Sequence, residues 1–141
     1  MSVTPAQFIL DIDSLVESEV EETVRLAAQK ISLEGLKGVV LKSPVGNPSL
    51  WKGRAPPGYV GGRFRGNWNV GVGDMDLSVS DNTANNRVAA GASEINGAKV
   101  YSIIWLTNNL PYANRIENGW SKQAPGGMVA LTFAELQAMR I

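Results

Sequence analysis

Apolar residues recur at helical spacing along the first thirty positions: Phe8, Ile12, Leu15, Val16, Val20, Val24, Ala27 and Ile31. The pattern predicts a helix over residues 5–31, about 40 Å long at 1.5 Å per residue. Its start is well marked. Thr4 suits the N-cap, Pro5 the first helical position and Gln7 the third, which together make a capping box. Val3 and Phe8 are placed to form a hydrophobic staple across that cap. Acids at the front (Asp11, Asp13, Glu17, Glu19, Glu21, Glu22) and bases behind (Arg25, Lys30) suit the helix dipole. Residues 32–42 continue a weaker helical pattern, diluted by Gly35 and Gly38 and stopped at Ser43-Pro44.

The pattern then breaks. Residues 44–66 hold four prolines and six glycines, and they predict a long loop. Trp51 and Tyr59 within it need a surface to pack on, in this subunit or the next. Residues 67–79 alternate as a strand or hairpin, with Gly73-Asp74 as a turn. Ser80 to Asn85 are turn residues. Val88, Ala89, Ala92 and Ile95 give helical spacing to residues 84–96, and Asn96-Gly97 ends it. KVYSIIWLT, 99–107, is β-branched and aromatic with apolar residues on both faces, so a central strand is expected. Pro111 to Asn118 fit a short helix with proline at its first position and Gly119 as its C-terminal cap. Residues 128–140 read as a strand-to-helix or short helical segment. The order predicts one α+β domain over residues 1–141. It has a long N-terminal helix and a small antiparallel sheet, with short helices packed on one side.

Composition narrows the chemistry. The 141 residues include no cysteine and no histidine. Thiolate chemistry, Ser-His-Asp triads and His-based zinc sites are therefore excluded. The net charge is zero, which is unusual for a dedicated nucleic-acid binder, but the charges are segregated. Residues 1–34 carry seven acids and two bases, whereas residues 35–73 carry six bases and no acid. Such asymmetry suits docking onto another copy or facing a polyanion; an internally compensated surface is the plainer alternative. No apolar run approaches the roughly 20 residues of a membrane helix. MSVTPAQF lacks the basic and apolar regions of a signal peptide, so a cytosolic chain with no membrane partner is expected.

Three constellations were tested as chemistry. Asp74, Asp76 and Asp81 have the wrong spacing for a calcium loop, and no Glu follows them, so a solvated turn is expected rather than a metal site. GYVGGRFRG, 58–66, lacks the Gly-Lys-Ser/Thr of a phosphate loop and the βαβ setting of a dinucleotide fingerprint. On a strand, Arg63 and Arg65 would share a face and could meet phosphates, solvent or carboxylates of a neighbouring subunit such as those at 17–22. In NNLPYANRIENGWSKQAP, 108–125, Glu117 is the only carboxylate. Without a second acid or a histidine it is a poor acid–base catalyst. The stretch reads instead as a strand end, a short helix and a glycine-capped exit that hold Tyr112 and Trp120 in place.

TNNLPYANRIENGWSKQAPGGMV, 107–129, resembles the C-terminal signature of tailed-bacteriophage neck proteins, known as head–tail joining, tail-completion or minor tail proteins. That pattern runs from a strand through Asn-Asn-x-Pro-Tyr-Ala and Glu-x-Gly-x-Ser to Ala-Pro-x-Gly-Met-Val. The matching positions include Asn109, Pro111, Tyr112, Glu117, Gly119, Trp120 and Pro125. Upstream, the family's Thr-Pro-Val-Asp-Thr-Gly-Arg-x-Arg-x-x-Trp is similar to Ser43-Pro44-Val45-Gly46 joined to Gly62-Arg63-Phe64-Arg65-Gly66-Asn67-Trp68. About fifteen residues are inserted between the halves, and the Asp-Thr pair is missing.

The resemblance implies a non-enzymatic structural protein of the virion neck, assembled in the host cytoplasm, with no cofactor and no metal. It implies a homo-oligomeric ring, typically of six, with double-stranded DNA passing through the lumen. Its neighbours would be a head-closure or stopper protein and a tail terminator or tail tube protein. A tail terminator capping the tail tube is the close alternative. A nucleic-acid-binding module using the basic 52–65 loop is the more distant one. A ring needs two different patches that meet between neighbours. Lys52, Arg54, Arg63 and Arg65 on one side, and Glu17 and Glu21 on the other, are the candidates for subunit or lumen contacts.

Overall fold

The two helical stretches at the N-terminus are one helix. In the computed structural model, which describes residues 2–83 and 86–140, helix α1 runs unbroken over Pro5–Lys42. Its 38 residues span about 57 Å at 1.5 Å per residue. Thr4 caps it as expected, its side chain accepting from the Gln7 amide at 3.2 Å. The reciprocal half of the capping box does not form, because the Gln7 side chain turns forward to Asp11 at 2.8 Å. Val3 and Phe8, the expected staple pair, both remain exposed.

Gly35 and Gly38 do not weaken α1, because they are where other elements cross it. A β-carbon at Gly35 would lie 3.3 Å from Leu106, and one at Gly38 would lie 2.5 Å from Thr132. The helix exposes backbone at these positions so that neighbours can approach, and that packing outweighs the propensity cost of glycine.

After α1 the chain makes a short 3-10 turn at Pro48–Leu50 and continues without regular structure to a four-residue turn of helix, α2 (Arg63–Gly66). Strand β1 (Trp68–Val72) follows, then α3 (Arg87–Asn96), β2 (Ile104–Asn108), α4 (Ala113–Glu117) and α5 (Val129–Ala138). The expected helix over 84–96 begins at 87; positions 84 and 85, which also close the expected 80–85 turn, lie outside the described residues. The fold is α+β, with helix predominating.

The sheet has two antiparallel strands, in register from Trp68 opposite Asn108 to Val72 opposite Ile104. No central strand exists among the described residues, which corrects the reading of 99–107. Tyr101 has φ 62° and the Ser102 amide bonds back to Lys99, so the chain is still turning where a strand was expected. The strand starts only at Ile104. Of the strand or hairpin expected within 67–79, the strand forms and the hairpin does not. Only its first arm is a strand, and residues 74–80 return across the other face of the sheet without pairing. Side chains hold this segment instead: Asn69 donates to the Ser78 carbonyl at 2.8 Å, Thr107 to Asp76 O at 2.6 Å and Asn109 to Asp76 O at 3.0 Å.

Packed against Val70 of β1 are α1 and α3, which cross so closely at Gly91 that a β-carbon there would overlap Leu36. The core gathers Leu36, Val39 and Val40 of α1 with Phe64, Trp68, Ile95, Leu110, Ile116 and Met128. All of these lie beyond residue 35. The first twenty residues of α1, 5–24, carry no buried side chain. Phe8, Leu10, Leu15, Val16 and Val20 there are each more than half exposed. No helix among the described residues is long and apolar enough to cross a membrane.

Candidate functional site

The carboxylate that first suggests chemistry is a structural cap. Glu117, at the end of α4, reaches the start of α5 and accepts three backbone amides, from Met128, Val129 and Ala130, each at 2.9 Å. These are the unpaired donors of a helix N-terminus. Partial burial pushes the Glu117 carboxyl up, but the amides of Val129, Ala130 and Met128 together outweigh it and hold the carboxyl below its ordinary value. Gly119 (φ 83°) and Gly127 (φ 79°) shape the exit and return of the chain around this cap. A β-carbon at Gly127 would lie 2.6 Å from Glu117 Oε1, and one at Gly119 would lie 2.6 Å from the Pro125 carbonyl. Helix α4 begins at Ala113, with Pro111 and Tyr112 in the turn before it, two residues later than proline at the first helical position implies.

Gln123 ties the segment just after α1 to the 108–125 segment. Its side chain accepts from the Val45 amide at 3.1 Å and donates to the Val45 carbonyl at 2.9 Å, mimicking a strand pair. The loop after α1 is thereby fixed to the 108–125 segment. Between them lies a groove of about 640 Å³. Trp51 and Tyr59, edge to face at 4.9 Å between ring centroids, stand on the loop side. Phe64, Tyr112 and Trp120 stand on the other, with Phe64 and Tyr112 centroids 6.0 Å apart. Partial burial pushes the Tyr112 phenol up from its ordinary value, against the pull of the Arg63 guanidinium. Trp120 is not packed as expected but is 71% exposed at the groove edge.

The charged residues of the walls are Arg63, Arg115 and Lys122, with no acid. Arg63 and Arg65 lie on the α2 helical turn, not on a strand, so the shared strand face does not exist. Arg63 pairs with Asp81 at 3.3 Å. Arg65 donates to the Leu41 and Ser43 carbonyls at 3.3 and 2.8 Å, closing the C-terminus of α1. Both arginines are thus engaged within the chain. Lys52 and Arg54 are exposed on the groove-forming loop. Among the described residues, Lys52, Arg54, Arg115 and Lys122 make no ion pair. Glu17 and Glu21 sit on the projecting part of α1, and no ion pair joins them to the 52–65 loop among the described residues.

The three aspartates do not converge on a point. Asp81 faces Arg63, while Asp76 Oδ1 accepts the Ser78 amide at 2.9 Å. The Ser78 side chain and amide hold the Asp76 carboxyl below its ordinary value.

The hydrogen-bonding parts played by several buried or half-buried polar residues were not foreseen in the sequence. Asn67, 1% exposed, donates to the Arg63 and Ser80 carbonyls at 2.7 and 2.9 Å and accepts from the Ser80 amide at 2.9 Å. Asn108 donates to Phe64 O at 2.9 Å, and Ser43 receives the Trp68 indole. A polar residue beside an aromatic, as in Asn67-Trp68, is the one sequence signal that could have found them. Comparison with protein-family models, with curated proteins and with solved structures gives no match to this chain.

Proposed function

We propose that the protein is a non-enzymatic, self-assembling structural component of a tailed-phage neck, a ring at the head–tail junction through which DNA passes. One observation carries the reading: α1 projects some twenty residues, 5–24, with large apolar side chains bare along them. An apolar stripe of this extent on a helix calls for a protein surface to cover it. The resemblance of residues 107–129 supplies the setting. The roles of Glu117, Gly119 and Gln123 as scaffold support reading that stretch as a builder of shape.

The test is genetic and visual. Phage particles produced without this chain should accumulate as separate filled heads and finished tails. Joined, infectious particles lacking the chain would overturn the reading. A tail-terminator role would instead give tails of uncontrolled length.

A further inference from the structure

The bare helix and the groove are complementary in charge and in apolar character. Residues 5–24 hold six acids and no base. Among the described residues, Asp13, Glu17, Glu19 and Glu21 make no ion pair. The groove walls are aromatic, with Arg115 and Lys122 unpaired and no acid. An acidic amphipathic helix fits such a surface through its apolar anchors, with its charges at the rim.

One molecule cannot make this contact with itself. The groove starts at Pro44, immediately after the C-terminal end of α1, and the bare segment is the other end of the same helix. About 27 Å of continuous helix, residues 25–42 at 1.5 Å each, separates them. A rigid helix cannot fold back on its own end.

We propose that the 5–24 segment of one copy docks in the Trp51–Trp120 groove of the next, head to tail. This deepens the ring reading and rests on it only for self-assembly. The contact is heterologous, so each copy keeps one free helix and one free groove until a ring closes. The loop inserted between residues 46 and 62 then has a defined task, since Trp51 and Tyr59 form one wall of the receiving site.

The chain has no cysteine, so introduced thiols report cleanly. Single variants Ile9→Cys, Ile12→Cys, Val16→Cys and Val20→Cys would each be mixed with Leu50→Cys under mild oxidation. We expect a covalent dimer from at least one mixed pair and little from any variant alone. Separately, Arg115→Glu with Lys122→Glu should lower the sedimenting mass at unchanged helicity. Adding a Glu17→Lys, Glu21→Lys partner should restore mass to the mixture. Helix variants that cross-link only to themselves would overturn the docking and indicate helix-to-helix packing. Assembly that survives the charge reversal without a mixed cross-link would also overturn it, while leaving the ring intact. A monomer at all concentrations removes the docking too, whereas the head–tail joining test stands apart from this result. Charge reversal that abolishes duplex DNA binding but not assembly would assign the groove to nucleic acid instead.

Discussion

The Trp68 indole N–H donates to Ser43 Oγ at 2.7 Å, with both residues buried. Ser43 in turn donates to the Val39 carbonyl at 2.6 Å. One hydroxyl therefore joins the end of α1 to the start of β1. Ser43→Ala leaves the indole N–H without a partner in the core. The expected cost is about 1–3 kcal/mol, the usual penalty for stranding a buried donor. Urea denaturation should show the midpoint falling at constant slope. An unchanged midpoint would mean that the indole finds another acceptor.

Glu117→Gln removes the charge that faces three amides and sets an NH2 group among donors. About 1–2 kcal/mol should be lost at neutral pH, toward the low end for charge-assisted bonds because the site is only partly buried. The folded carboxyl is held below its ordinary value of 4.5, so its contribution is full above that pH. It is lost as pH falls through the folded value. The stability gap between parent and variant should accordingly close in acid. A gap that stays constant from pH 7 to pH 3 would contradict the cap.

Glycines on the helix faces should not tolerate alanine. Gly91→Ala gains about 1 kcal/mol of helix propensity but drives a methyl into Leu36 and Val70, at a typical overpacking cost of about 1–3 kcal/mol. Net destabilisation is expected in thermal melts. Gly53, with nothing within 4 Å of its would-be β-carbon, is the matched control and should be neutral. Equal behaviour of the two variants would argue against the close crossing of α1 and α3.

Gln123→Ala cuts both bonds to Val45. The 44–62 loop should then be cleaved faster by trypsin at Lys52 and Arg54, with little change in global melting. Unaltered cleavage would show that the loop is held by Trp51 and Tyr59 alone.

Some local signals in the sequence held, although the Gln7 half of the capping box and the Val3–Phe8 staple did not form. Thr4 caps α1, and Gly119 takes the left-handed conformation that ends α4. Others failed where distant elements decide. Gly35 and Gly38 look like weak points of a helix until α5 and β2 are seen to need the space. The β-rich 99–107 run loses its first half because Tyr101 turns the chain at positive φ, which β-propensity does not encode. At the site, Tyr112, Trp120 and the 108–125 stretch stood out in the sequence, but the groove they border did not. Gln123, which grips Val45 across 78 positions of chain, brings its two sides together. The arginines at 63 and 65 were singled out by charge and by motif, and neither reveals that Asp81 and two carbonyls have already claimed them.

The continuity of α1 has a mechanical corollary. A helix without a break from Pro5 to Lys42 acts as a stiff lever, rooted in the core at one end and free at the other. Any tilt of the rooted end swings the tip through a distance set by the full length of the rod. Small repacking around Leu36 or Gly91 would thus be magnified into ångströms at Phe8. Substitutions far from the tip can retune where it lands, and with it the curvature of the ring proposed above.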